Sequence, residues 1–314
     1  MVPSLAWAVV RGQDVDLGGA GGAGPRTIFQ IGSVTKVFTA LLLADMAERG
    51  EVRLSDPAAC YLPGSRGGTV TLADLATHTS GFPRLPRGLL WFALLSPRDP
   101  YARYPERRFL RAARRALRAG SGGHPYTYSN FGYGLLGYLL GQAAGTPYPT
   151  LVATRICTPL ALPDTTFTVP APSRDRKAQG HQRGRPAPDW HLGPHSAAGA
   201  LYSTVTDLAT LLQAHLTAAS SAPAALPASA TSSLAAAIRA TVVPRHQIPG
   251  GEIGLAWHQT RRGDHTIIWH NGMTGGFSAM VAFDPARGLG VAALANTAGK
   301  LPSPLDEAVL RALS

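Results

Sequence analysis

Three short runs hold side chains that can do chemistry together. In Ser33-Val34-Thr35-Lys36 a hydroxyl and an amine stand three residues apart, which on a helix places both on one face about a turn apart. A serine is a weak nucleophile at its own pKa, and a neighbouring amine can hold or take its proton. A helix starting there also offers N-terminal backbone N–H groups to a developing oxyanion. Tyr128-Ser129-Asn130 comes 95 residues later. A tyrosine beside a lysine can have its phenolate favoured and serve as general base, and an asparagine can hydrogen-bond a substrate amide. A turn with a capping Ser129 or Asn130 accounts for the same run without chemistry. The third run, His270-Asn271-Gly272, precedes Met273. A strand edge there can present a backbone N–H to a carbonyl oxygen, with Gly272 allowing close approach.

The elements that must position these runs follow from periodicity. Val34, Val37, Phe38, Leu41, Leu42 and Ala44 recur at helical spacing, and Gly50 supplies a stop, so a helix runs from Ser33 to Arg49. Further helices are expected at Leu72–Thr77 opened by Thr71, Pro105–Ala119, Phe131–Ala144, Leu151–Cys157, Ser203–Leu216 and Leu305–Leu313. Leu5–Val10 reads as a buried strand followed by a glycine-rich hairpin turn at Gly18–Gly24. Ile253–Gln259, His265–His270, Phe277–Phe283 and Gly290–Ala295 are short β-rich runs between turns, the pattern of an antiparallel meander. Residues 170–195 read as a long surface loop and Thr217–Ser233 as a variable linker. The expected organisation is a discontinuous α/β domain, 1–60 with 196–314, around a mainly helical insertion, 61–195.

Several function classes fall away. A chain of 314 residues, 45% hydrophobic and 15% charged, can bury roughly three-quarters of its surface and needs no disulfide or metal staple. The net charge of +11 invites nucleic acid, but only Lys36, Lys177 and Lys300 are lysines and the other 26 cations are arginines. No nucleic-acid motif accompanies the charge, and the skew resembles the codon bias of a GC-rich genome. The greasiest run, Gly88–Leu95, has eight residues, short of the roughly 18 an integral span needs. The arginines of 105–119 line the face opposite Phe109, Leu110, Ala113, Ala116 and Leu117. Such a helix can lie on a membrane, but its ordinary meaning is a solvated face over an apolar stripe. Cys60 and Cys157 are expected to be two buried small hydrophobes. His181, His191 and His195 have no metal-ligand spacing, no Gly-x-Ser-x-Gly elbow occurs, and no dinucleotide loop is followed by a helix in register, so neither metal nor cofactor is expected. Residues 2–10 lack a basic n-region and a cleavage site. That places the chain in the cytoplasm if its start is complete, and outside it if the start is truncated.

The order Ser-x-x-Lys on a helix, Tyr-x-Asn in the helical insertion and His-x-Gly on a late strand resembles the serine β-lactamase and penicillin-recognising family. The likeness is to the class C β-lactamase-like branch, with its DD-peptidases, D-aminoacyl amidases and esterases. Phe29–Lys36, Leu75–Pro83, Tyr128–Tyr133 and Ala198–Ser203 look like stretches of that branch, and the likeness extends through nearly the whole chain. It implies an α/β fold with an antiparallel sheet flanked by helices plus an all-helical domain. It also implies Ser33 as acylated nucleophile, Lys36 as its partner, Tyr128 as general base and leaving-group acid, and Asn130 as a substrate-amide ligand. The N–H groups of Ser33 and Met273 would form the oxyanion hole beside Gly272, and His78 takes a structural position. His270 stands where β-lactamases and DD-peptidases of the family usually keep a lysine that binds the substrate carboxylate. An imidazole titrating near pH 6.5 supplies weaker charge. The expected activity is therefore an acyl-enzyme on a small-molecule ester or amide, as esterase or D-aminoacyl peptidase or amidase rather than on β-lactams. A true class C β-lactamase and a non-turnover penicillin-binding sensor are the alternatives. A second departure is that relatives usually have a leader and a helix before the first strand. One face of the sheet should then be bare or covered by the C-terminal helix alone.

Overall fold

In the computed structural model, which describes residues 4–65, 67–219, 232–299 and 302–313, the chain opens on an antiparallel hairpin of β1 (Leu5–Arg11) and β2 (Asp14–Ala20). Along β1 the inward Ala6, Ala8 and Val10 are buried and the alternate residues half-buried until Arg11, the period-2 pattern of a strand with one face on the core. The hairpin turns at Gly12–Gln13, with Gly12 at φ +59°, and not at Gly18–Gly24 as expected. Gly18 lies within β2 because a Cβ there would come 2.2 Å from the Trp7 ring on β1. The glycine makes room for an indole across the strand pair.

A two-residue strand, β3 (Phe29–Gln30), leads through a 3-10 turn at Gly32–Val34 into α1 (Thr35–Glu48). Every residue of α1 from Thr35 to Met46 is buried, the polar Thr35, Lys36, Thr39 and Asp45 included, so this helix is enclosed all round and runs through the middle of the molecule. There follow α2 (Leu72–Ala76), α3 (Leu89–Leu95), α4 (Glu106–Ala119), α5 (Asn130–Ala144) and α6 (Tyr148–Val152), which continues into a π turn at Ala153–Cys157. As expected, Thr71 opens α2, in a capping box with Asp74. Residues 170–195 are more ordered than a surface loop: a 3-10 turn at Ala171–Arg176 precedes β4 (His181–Gln182) and β5 (Arg185–Pro186). Ion pairs of Arg176 with Asp164 and Lys177 with Asp189 fix the segment. Next come α7 (Ser196–Gly199), β6 (Tyr202–Ser203), which pairs with β3, and α8 (Val205–Ala219).

Of the expected linker, Thr217–Ala219 ends α8, 220–231 lie outside the described residues, and Ser232 begins a helix absent from the sequence reading, α9 (Ser232–Thr241). Its Leu234, Ala237 and Ile238 are buried, and the helix packs beside α1. The sheet resumes with β7 (His246–Ile248), β8 (Gly251–Ile253), β9 (His258–Arg262), β10 (His265–Met273), β11 (Ser278–Asp284) and β12 (Leu289–Ala295), before the short β13 (Thr297–Ala298) and α10 (Pro304–Ala312). The expected strand Ile253–Gln259 is split, because Ala256 adopts φ +67° and the fully buried Trp257 fills the break.

The eight strands run in the order β2-β1-β12-β11-β10-β9-β8-β7, and the described neighbour pairings in this sheet are antiparallel. All seven residues of β11 are buried, as a strand covered on both faces requires. On one face, α8 lies on β1, β11 and β12. On the other, Val309 and Leu313 of the C-terminal segment pack with Ile267, Met280, Ala282, Val291 and Ala293, with Trp7 and Trp269 at the margin. Cys157 is buried, and burial pushes its thiol pKa up to about 12. Cys60 is exposed, contrary to expectation, since the turn Ala58–Tyr61 faces it outward. No described helix is long and apolar enough to cross a membrane, and no group of three His, Cys, Asp or Glu among the described residues is arranged to hold a metal ion.

Candidate active site

The site is built where the start of α1 meets the end of β10. Gly32 turns the chain at φ +50°, leaving Ser33 half-buried at the mouth of the turn while Lys36, one turn on, is fully buried. Lys36 Nζ lies 3.0 Å from Ser33 Oγ, 2.9 Å from Asn130 Oδ1 and 2.7 Å from the carbonyl oxygen of Ala198. Ala198 is in α7, and α1 grips that segment twice more: Thr39 Oγ1 donates to Ala197 O, and Leu201 N donates to Thr35 Oγ1.

In Tyr128-Ser129-Asn130 the capping reading holds, and the two residues flanking the cap lie beside Lys36. Ser129 is the N-cap of α5, its Oγ accepting from Gly132 N at 2.8 Å and donating to Pro83 O. That cap fixes the two flanking side chains in the site. The Tyr128 ring centroid is 4.8 Å from Lys36 Nζ, and Ser33 lies near enough to the phenol to pull its pKa down. Asn130 holds Lys36 with its oxygen and donates through Nδ2 to Tyr101 OH at 3.2 Å. His78 packs against the site at the cap: its ring lies tilted against Tyr128 with centroids 4.5 Å apart, and its Nδ1 accepts from Ser129 N.

Backbone contact joins the third run to the first. A Cβ on Gly272 would sit 2.0 Å from Ile31 O and 3.0 Å from Ser33 N, and one on Gly32 would sit 2.7 Å from Met273 N. The Gly32–Ser33 and Gly272–Met273 backbones therefore run in direct contact, which brings the Ser33 and Met273 amides into one neighbourhood. Gly272→Ala is expected to force these backbones apart. It should cut acylation by about 10²–10³ and stability by about 1–3 kcal/mol, read by kcat/KM and a thermal melt. Unchanged turnover would remove this approach from the chemistry.

The electrostatics divide the groups. Burial, reinforced by the Arg84 guanidinium, holds the Lys36 amine well below its ordinary value. Burial pushes the Tyr128 phenol up, against Ser33 and Arg84, which pull it down. His270 is fully buried and its Nδ1–H donates to Asn271 O at 2.6 Å. Burial, then His258 and Lys36, keep its pKa well below that of free imidazole. This revises the expectation that His270 titrates near pH 6.5: enclosure disfavours the charged ring and favours the neutral one at neutral pH.

Sequence reasoning missed four participants. Arg84 is exposed, with its guanidinium carbon 5.2 Å from the Tyr128 ring centroid, and its carbonyl accepts from Asn130 N. Tyr101 orients Asn130, and Tyr126 bonds His258, which packs edge-on against His270. No spacing announces them, since they come from separate loops and strands.

A family model described as Beta-lactamase matches residues 1–314. A beta-lactamase of Pseudomonas fluorescens is 29% identical over 310 aligned residues, covering 86% of this chain and 79% of the relative. The D-alanyl-D-alanine-carboxypeptidase/endopeptidase AmpH of Escherichia coli strain K12 is 30% identical over 276 residues, covering 84% of this chain and 69% of AmpH. Among solved structures, a class C beta-lactamase from Rhodobacter sphaeroides has a similar fold, with a TM-score of 0.81 at 24% identity over 96% of this chain and 91% of that one. The mixed α/β architecture with its antiparallel sheet is thus the fold implied by the sequence resemblance.

Proposed function

The chain belongs to the beta-lactamase family of serine hydrolases, and from that premise we propose that it forms an acyl-enzyme at Ser33 on neutral ester or amide donors in preference to β-lactams. The observation that carries the substrate preference is His270: buried, bonded inward and neutral at the position where the family's carboxylate-binding lysine would stand. A neutral imidazole offers no ion pair to a substrate carboxylate.

The partners of Lys36 support a division of labour. Asn130 Oδ1 and Ala198 O can only accept, whereas the Ser33 hydroxyl can donate. In the resting site Nζ donates to all three, and loss of one proton, which burial favours, frees a lone pair for the serine O–H. Lys36 then removes the Ser33 proton as Oγ bonds the acyl carbon, and the oxyanion forms against the Ser33 and Met273 N–H groups. As the bond to the leaving oxygen or nitrogen breaks, Tyr128 O–H protonates that atom, and the proton on Lys36 restores Tyr128. Water reverses the sequence to release the acid. Lys36, rather than Tyr128, is here the base, because burial moves their pKa values in opposite directions.

One observation favours a second reading. Arg84 is an exposed cation facing Tyr128, and it suits a donor with a free carboxylate, as the name of AmpH suggests for that relative. The test is kcat/KM for a p-nitrophenyl ester, a chromogenic cephalosporin and a D-Ala-D-Ala peptide between pH 5.5 and 8, with adducts followed by intact mass. Because His270 stays neutral, the ester preference should hold without a carboxylate preference emerging as pH falls. His270→Lys should raise the cephalosporin value by up to about 30-fold, equivalent to about 2 kcal/mol. Efficient cephalosporin hydrolysis by the unmodified protein at pH 8 would overturn the preference. A peptide activity lost in Arg84→Ala at a pH where ester turnover is kept would establish the second reading instead.

A further inference from the structure

We propose that α3 and the arginine face of α4 form a docking surface for an anionic lipid bilayer. Leu90, Trp91, Leu94 and Leu95 are 73%, 74%, 71% and 64% exposed, a concentration of bare large side chains that a solvated helix does not need. They occupy positions i, i+1, i+4 and i+5, which form one helical face. The opposite face is anchored: Leu89 is buried, and Phe92 packs edge-on against Tyr104 at 5.4 Å. The Arg108 guanidinium carbon lies 5.4 Å from the Phe92 ring centroid, so the apolar helix and the basic helix make one continuous surface.

Charge decides what that surface fits. From Arg84 to Arg118 the chain carries ten arginines against two acids, Asp99 and Glu106. Asp99 is buried and accepts from His191. Arg103, Arg107, Arg108, Arg111, Arg115 and Arg118 are exposed. A nucleic acid would use the arginines but has no partner for three leucines and a tryptophan at the same place. A second copy of the chain would bring the same positive charge to the contact. Anionic lipid meets both features, since phosphates pair with the guanidiniums while leucine and tryptophan enter the acyl boundary. The surface also adjoins the active site. The segment leaving α3 carries Arg98, whose carbonyl accepts from Trp190 Nε1, and Tyr101, which bonds Asn130. Docking therefore seats the rim of the site on the bilayer, where an acyl donor dissolved in or anchored to lipid is presented.

The test uses the full chain with vesicles of phosphatidylcholine alone or mixed equally with phosphatidylglycerol, read by cosedimentation and by quenching of tryptophan with brominated lipid. Binding should be at least about tenfold stronger to the anionic vesicles and weaken with salt. Trp91→Phe should remove most of the quenching. The fourfold change Leu90→Ser, Trp91→Ser, Leu94→Ser and Leu95→Ser, and separately Arg107→Glu with Arg111→Glu and Arg115→Glu, should each lose most vesicle binding while keeping turnover of a soluble ester. No vesicle binding, equal binding to both compositions, or binding retained by the fourfold variant would overturn the proposal. So would binding of duplex DNA, or dimerisation through this face, in a protein that ignores vesicles.

Discussion

Ser33→Ala is expected to abolish covalent labelling by a fluorophosphonate and to lower ester turnover by about four orders of magnitude or more, with the fold intact. The size of the effect follows from what the hydroxyl does: without Oγ no acyl-enzyme forms, and Lys36 and Tyr128 have nothing between them to deprotonate. The structure also makes the variant benign. Ser33 caps no helix, since α1 begins at Thr35 with no side-chain cap, and its Oγ is bonded to Lys36. Losing this bond costs about 1 kcal/mol, a shift of a few degrees in Tm. Labelling and melting measured side by side settle the role. Undiminished labelling of the Ser33→Ala protein would remove Ser33 as nucleophile, and a collapsed melt would identify it as structural.

The parts legible in the sequence share a physical cause. Ser33 in the 3-10 turn and Lys36 in the first turn of α1 sit three apart on continuous helical backbone, Tyr128 and Asn130 flank one cap, and Gly272 and Met273 are adjacent on one strand. Local spacing is preserved by secondary structure, so a motif survives folding intact. What the chain brings together from afar leaves no such trace. Ala198 contributes only a carbonyl, which any residue supplies, and Arg84 arrives from a proline-rich loop without periodicity. Gly18 of β2 reads as part of a turn because its reason lies across the sheet, in Trp7. The electrostatics were equally hidden: a histidine in a sequence has an ordinary pKa, and only enclosure of His270 beneath Lys36 and His258 shows that it stays uncharged. The outward leucines of α3 could not be read either, because eight apolar residues in a row predict burial, and here half of them meet solvent.

Lys36→Ala and Tyr128→Phe are each expected to reduce acylation by about 10²–10⁴, but in ways that tell them apart. If neutral Lys36 is the base, kcat/KM rises with pH as the amine loses its proton. Burial and Arg84 hold that amine well below the ordinary lysine value, so the rise falls far below pH 10. Removing the cation by Arg84→Ala restores part of the Lys36 pKa and moves the rising limb to higher pH. Tyr128→Phe leaves the limb in place and removes the proton donor to the leaving atom. Its loss should be severe for an alkyl ester or an amide, whose leaving groups need the proton, and about tenfold or less for a p-nitrophenyl ester, which does not. The double variant should be little worse than the poorer single one on the amide, since groups in one proton circuit fail together. Were Tyr128 the base, its removal would abolish the limb and penalise both leaving groups alike. Independent, multiplicative losses in the double variant would show that the amine and the phenol, though held against the same serine, do not exchange a proton.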